Sequence, residues 1–184
     1  YLFLTFFPPV LITLRYLNTH LLPTLTMLKT LPRRNWAIVT GGTGGVGREI
    51  AKIFNNNNIP VIITSRNQKN ATNVANSLYN NHDTTTTPIV GAGVDLNNND
   101  SVEHFINEIK FRNYKIKYLI NNAGVLNLEK INTISKKKLD LLFNVNILGP
   151  LSLSGAFLND IKQNNGAILF NSPPYKIDEK TTRI

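Results

Sequence analysis

The stretch that most limits what this chain can fold into is Thr40-Gly41-Gly42-Thr43-Gly44-Gly45-Val46-Gly47. Trp36-Ala37-Ile38-Val39, just before it, is short, apolar and β-prone. Val46, Ile50, Ile53 and Phe54 recur at i, i+4, i+7 and i+8, the spacing of an amphipathic helix. Strand, glycine-rich turn and helix, in that order, make a phosphate site. Glycines let the chain turn sharply and let a pyrophosphate approach without Cβ atoms in the way. The helix then offers unpaired N–H groups and the positive end of its dipole. A glycine cluster without such flanks also suits an ordinary loop. With them, the stretch reads as a dinucleotide site.

The chain has 184 residues, one domain's worth, with 42% hydrophobic and 17% charged residues, a balance that suits a globular α/β domain. It has no cysteine, which excludes disulfides, thiolate metal sites and a cysteine nucleophile. His20, His82 and His104 are scattered without ligand spacing, so no metal site is expected. The net charge of +9 gathers in Arg33-Arg34, Lys115/Lys117 and Lys136-Lys137-Lys138. Such an excess suits nucleic acid, an acidic membrane surface or a phosphorylated cofactor. No aromatic residues interleave with these groups to stack bases, so no nucleic-acid partner is expected.

Residues 1–32 differ from the rest. Leu2–Leu14 is apolar but interrupted by Pro8-Pro9 and closed by Arg15; Leu17–Leu28 is apolar again, with Pro23 inside. Neither run reaches the roughly 20 residues of a spanning helix. No acidic residue precedes Glu49, and threonines are frequent. The composition is that of a targeting or membrane-anchoring leader; the competing reading is a stretch that belongs to no folded unit. A leader implies membrane-associated or organellar placement, and its absence a cytoplasmic one. Met27, the only methionine, also allows synthesis to begin there.

Residues 33–184 form the expected domain. Apolar runs alternate with helical patterns, which argues for parallel βαβ units and a doubly wound sheet covered on both faces. The strands are expected at 36–39, 59–64, 88–93, 117–120 and 167–170. Helices are expected at about 44–56, 68–80, 100–112 and 137–164. Asn55–Asn58, Thr84–Thr87 and Asn97–Asn99 read as polar insertions between elements.

Three further places carry chemistry. Arg66 lies nineteen positions after Gly47, where an acidic residue would hold ribose hydroxyls. Ser65-Arg66-Asn67 has no carboxylate, and an arginine there suits a 2′-phosphate, favouring NADP over NAD; the alternative is a surface arginine flanking a helix. Asn121-Asn122-Ala123-Gly124 follows the fourth strand, at the carboxyl end where open α/β sheets bind ligands, though a tight turn would use the same residues. Asn146 shares a helix with the stripe Leu139, Leu142, Phe143, Ile147 and Pro150. Its amide needs partners, and Pro150 cannot donate to residue 146 in a regular helix. A locally disturbed helix beside a polar site fits both facts; a plain proline kink is the alternative.

Together, Thr40–Gly47, Asp95-Leu96, Asn121–Gly124 and Asn144-Val145-Asn146-Ile147-Leu148-Gly149 stand in the order and spacing of the short-chain dehydrogenase/reductase family. The phrase Leu141-Leu142-Phe143-Asn144-Val145-Asn146 resembles its retinol-dehydrogenase-type branch. The resemblance implies a Rossmann-type sheet of order 3-2-1-4-5. It implies that Gly41, Thr43, Gly45, Val46 and Gly47 hold pyrophosphate and ribose, and that Arg66 holds the 2′-phosphate. Asp95 and Leu96 would approach the adenine, and Asn122, Ala123 and Gly124 would border the cofactor. Asn146 matches the helix asparagine of the family's Asn-Ser-Tyr-Lys catalytic set.

The chain then departs from that pattern. Its fifth strand ends Asn171-Ser172-Pro173-Pro174, with Pro173 at the position of the family's serine. Tyr175 is followed at once by Lys176, and Glu179 stands where Tyr-x-x-x-Lys requires lysine. The expectation is an NADP(H)-dependent oxidoreductase acting on a carbonyl or alcohol, C-terminally incomplete and inactive as this chain. The alternative is a non-catalytic module that binds NADP or a partner, a second copy of the chain included.

Overall fold

The computed structural model describes residues 35–80, 87–126 and 132–172. They form β1 (Asn35–Val39), α1 (Gly45–Asn56), β2 (Val61–Ser65), α2 (Gln68–Asn80), β3 (Ile89–Gly93) and α3 (Asn99–Phe111). Then come β4 (Lys115–Asn121), α4 (Lys136–Phe143), a π-helical turn (Asn144–Leu148), α5 (Gly149–Gln163) and β5 (Ala167–Phe170). The expected leader, Thr84–Thr86, and Tyr175, Lys176 and Glu179 lie outside the described residues.

The five strands are all parallel in the order β3-β2-β1-β4-β5, as expected. Alternation along β1 sorts the core into two layers. Ala37 and Val39 face Ala51 of α1 and Ala75 and Leu78 of α2. Ile38 faces the opposite layer, where Val102, Phe105 and Ile109 of α3 meet Leu153, Phe157 and Ile161 of α5. The strand order reverses direction at β1, and at such a switch point a crevice opens at the carboxyl ends of the strands.

Four expectations are corrected. The buried face of α1 is Gly47, Ala51 and Asn55, whereas Val46 and Ile53 are exposed. Close approach of α1 to the sheet selects small side chains, leaving Ile50 and Phe54 at the flanks. Likewise the π turn and α5 bury Val145, Gly149, Pro150, Leu153, Phe157 and Ile161, while Leu139 and Phe143 of α4 and Ile147 of the turn are exposed. The expected cover on both sheet faces also fails at β5, where Ala167, Leu169 and Phe170 are exposed.

The asparagine runs, finally, are structural. Asn55 is buried inside α1 and donates to the Thr87 carbonyl at 2.9 Å. Asn58, Asn113 and Asn165 take positive φ just past α1, α3 and α5, a conformation asparagine tolerates better than most residues. Asn98 caps α3 by accepting from the Ser101 N–H at 3.1 Å.

Lys136–Gln163 is long and apolar enough to cross a membrane, at 28 residues. Its buried face nevertheless packs on the sheet through Leu153, Phe157 and Ile161.

Candidate functional site

The glycine turn is built by backbone geometry on one side and by a polar lock on the other. Gly41 and Gly45 have φ of +63° and +50°, left-handed values that favour glycine. A Cβ on Gly47 would lie 2.4 Å from Asn122 Nδ2 and 2.5 Å from the Gly41 carbonyl, so only glycine lets α1 start there. Gly44 differs. Its φ of −162° is extended backbone open to any residue, and a Cβ there would meet nothing within 4 Å.

Gly44 is also the N-cap of α1, and no side chain caps that end. The first turn carries no acidic residue. Unpaired N–H groups therefore face open space bordered by Gly44 and Gly45, a cradle suited to an anion.

Thr40, fully buried, ties this turn to the end of β4. Its hydroxyl donates to the Ile120 carbonyl and accepts from the N–H groups of Asn122 and Ala123 at 2.9 and 3.0 Å. Asn122 returns the contact through Nδ2 to the Thr40 carbonyl at 3.0 Å, and its Oδ1 accepts from Asn171 Nδ2 at 2.8 Å. The Asn122 side chain is thus committed to protein partners, not turned into the crevice.

The crevice is a cleft of about 450 Å³. Of the residues singled out from sequence, Gly41, Thr43, Arg66, Asp95, Leu96, Ala123 and Gly124 line it. Gly45 and Val46 lie at the open start of α1, and Gly47 packs behind the turn. Asn146 accepts from the Val125 N–H and donates to the Val125 carbonyl, both at 2.9 Å. It therefore holds the segment that leaves Gly124. Its amide is exposed and satisfied, where the sequence pattern had placed it on an apolar face.

The π turn explains how Asn146 reaches Val125. The Gly149 N–H bonds to the Asn144 carbonyl, five residues back, and Pro150 follows without an N–H to give. Asn144 Nδ2 donates to Asn97 Oδ1 at 3.1 Å, tying this turn to the loop after β3.

Sequence reasoning missed Asn70, Val94, Asn97, Val125, Leu141 and Val145, which also line the cleft. Val94 and Asn97 were foreseeable as neighbours of Asp95-Leu96. Leu141 and Val145 were not, because helical spacing alone does not say which face meets the cleft.

These features have counterparts among known proteins. A family model described as short chain dehydrogenase matches residues 35–173. An uncharacterised oxidoreductase of Saccharomyces cerevisiae is 25% identical over 165 residues, 90% of this chain and 48% of that protein. The human polyprenol dehydrogenase is 30% identical over 127 residues, 69% of this chain and 37% of that protein. An alcohol dehydrogenase from Thermococcus sibiricus, solved with 5-hydroxy-NADP, superposes with a TM-score of 0.68 at 22% identity. That match covers 74% of this chain and 57% of the other. The chain spans about half the length, or less, of the curated relatives it matches.

Proposed function

The chain belongs to the short-chain dehydrogenase family, and from that premise we propose that it binds NADP(H) in the cleft between the glycine turn and the ends of β2, β3 and β4. The observation that carries the reading is the cleft that Gly41 and Thr43 of the glycine turn share with Arg66, with no carboxylate in Ser65–Asn67 and an uncapped start of α1 just after Thr43.

The residues present fit the group. Gly41, Thr43 and Gly45 border the room for a pyrophosphate, and Val46 and Gly47 begin the helix behind it. Arg66 supplies a guanidinium for a 2′-phosphate. Asp95 and Leu96 flank the adenine end, and Ala123 and Gly124 form the wall toward the nicotinamide end. Asn122 holds that wall in place through Thr40, and Asn146 holds it through Val125. NADP(H) bound there supplies hydride exchange with a carbonyl or alcohol substrate. The phrase Leu141–Asn146 supports an apolar substrate of the retinol-dehydrogenase-like kind, as does a human relative named polyprenol dehydrogenase.

Tyr-x-x-x-Lys does not occur in these 184 residues. We therefore propose that residues 35–172 provide cofactor binding and that the proton-transfer pair is not theirs. A second reading, a partner-binding module, is favoured by the exposed Leu169 and Phe170 of β5 and by Leu139, Phe143, Ile147 and Leu151. A second copy of the chain would suit that surface.

Titration with NADPH and NADH, followed by nicotinamide fluorescence, tests the main reading. Wild type should bind NADPH more tightly. Arg66→Ala should lose about tenfold for NADPH, the ~1.4 kcal/mol of one charge-assisted contact, and almost nothing for NADH. Equal affinities for both cofactors in both proteins would remove NADP preference.

A further inference from the structure

The adenosine end of the cleft has two walls that come from different elements. Ser65 ends β2 and Arg66 and Asn67 follow it, and Val94, Asp95 and Leu96 follow β3. The first wall is braced internally. Ser65 Oγ donates to the Asn67 carbonyl at 2.8 Å, and Asn67 Oδ1 accepts from the Asn70 N–H at 3.1 Å. Between the walls stands Gln68, the first residue of α2. Its Nε2 donates to the Gly91 carbonyl at 2.9 Å, and its Oε1 accepts from the Gly93 N–H at 2.5 Å.

That pair of bonds copies a parallel β-bridge. In a parallel ladder one residue's C=O and N–H bond to the two residues flanking its partner. Here the side-chain amide of Gln68 does so around Ala92. The β2 side of β3 is already used, since the Val94 N–H bonds to the Ser65 carbonyl at 2.8 Å. Gly91 and Gly93 therefore present their groups to the outer edge, where no described strand pairs. Space is made for the contact by the glycines. A Cβ on Gly91 would lie 2.3 Å from the Ala71 backbone, and one on Gly93 would lie 3.1 Å from the Gln68 Cβ.

We propose that Gln68 is a positioning residue for cofactor selectivity: its amide, bonded across Gly91 and Gly93, holds the Arg66 loop at a set distance from Val94-Asp95. The inference rests on the NADP-binding reading of the cleft. Gln68 itself does not line the cleft, so it acts through Arg66 and Asp95. Without the amide bridge the bond from Val94 N–H to the Ser65 carbonyl alone ties the two walls, so Arg66, just beyond it, keeps one anchor of two, and recognition of a 2′-phosphate suffers more than that of a ribose hydroxyl.

The test is NADPH and NADH affinity, by fluorescence titration, in wild type and Gln68→Met, which keeps the length and loses both bonds to β3, together with the Nε2 bond to Thr72 Oγ1. NADPH binding should weaken about tenfold, NADH binding less than about threefold, so that selectivity falls. An equal loss for both cofactors, or no loss, would overturn the proposal, because a merely stabilising residue leaves the ratio unchanged. If Gln68→Met does not fold, Gln68→Glu keeps an acceptor for Gly93, loses the donor to Gly91 and is read by the same ratio. Wild type that does not bind NADPH would refute the cleft reading itself. Wild type that binds it, with the variants' selectivity intact, would refute only the bridge.

Discussion

Two glycines three positions apart do different work, and substitution should separate them. Gly47→Ala drives a methyl into Asn122 and Gly41, so it should cost about 1–3 kcal/mol in urea unfolding. Gly44→Ala meets no atom and needs no special φ, so unfolding should change by less than about 1 kcal/mol while the methyl intrudes on the anion cradle. Cofactor affinity should fall in both. Thr40 carries a similar contrast. Thr40→Val strands the N–H groups of Asn122 and Ala123, which should cost about 2–3 kcal/mol. Thr40→Ser keeps the hydroxyl and should cost only about 1 kcal/mol.

At the scale of elements, the sequence disclosed type and order better than facing. The strands were legible because their apolar runs are bounded by Gly, Pro and Asn, and the glycine turn announced α1. The buried face of α1 was not legible. Hydrophobicity favoured Val46 and Ile53, but a helix held close to a sheet buries what is small, so Gly47 and Ala51 face inward. Asn146 shows the same limit. Pro150 signalled a disturbed helix, yet its π register, and with it the pairing to Val125, depends on tertiary contacts such as Asn144 to Asn97. Asn146→Ala should therefore speed amide exchange at Val125, by about tenfold for a lost bond near 1.4 kcal/mol. Unchanged exchange there would show that the loop holds itself.

Across the described residues as a whole, the two layers are unequally closed. Both faces of β1 and β2 are buried, whereas β5 and the stripe through Leu139, Phe143, Ile147 and Leu151 stay apolar and exposed. Surface of that kind marks an interface or an aggregation site. Sedimentation should accordingly show concentration-dependent association that Phe170→Lys weakens; a monomer at every concentration would argue against an interface there. Cofactor binding belongs instead to the cleft at the carboxyl ends of the strands. The most direct measurement is calorimetric titration of the chain with NADPH, with Gly44→Val as a control of unaltered thermal unfolding. The account predicts saturable binding at one cofactor per chain, strongly weakened in the variant. No heat and no saturation with folded wild type, or equal binding by Gly44→Val, would contradict it.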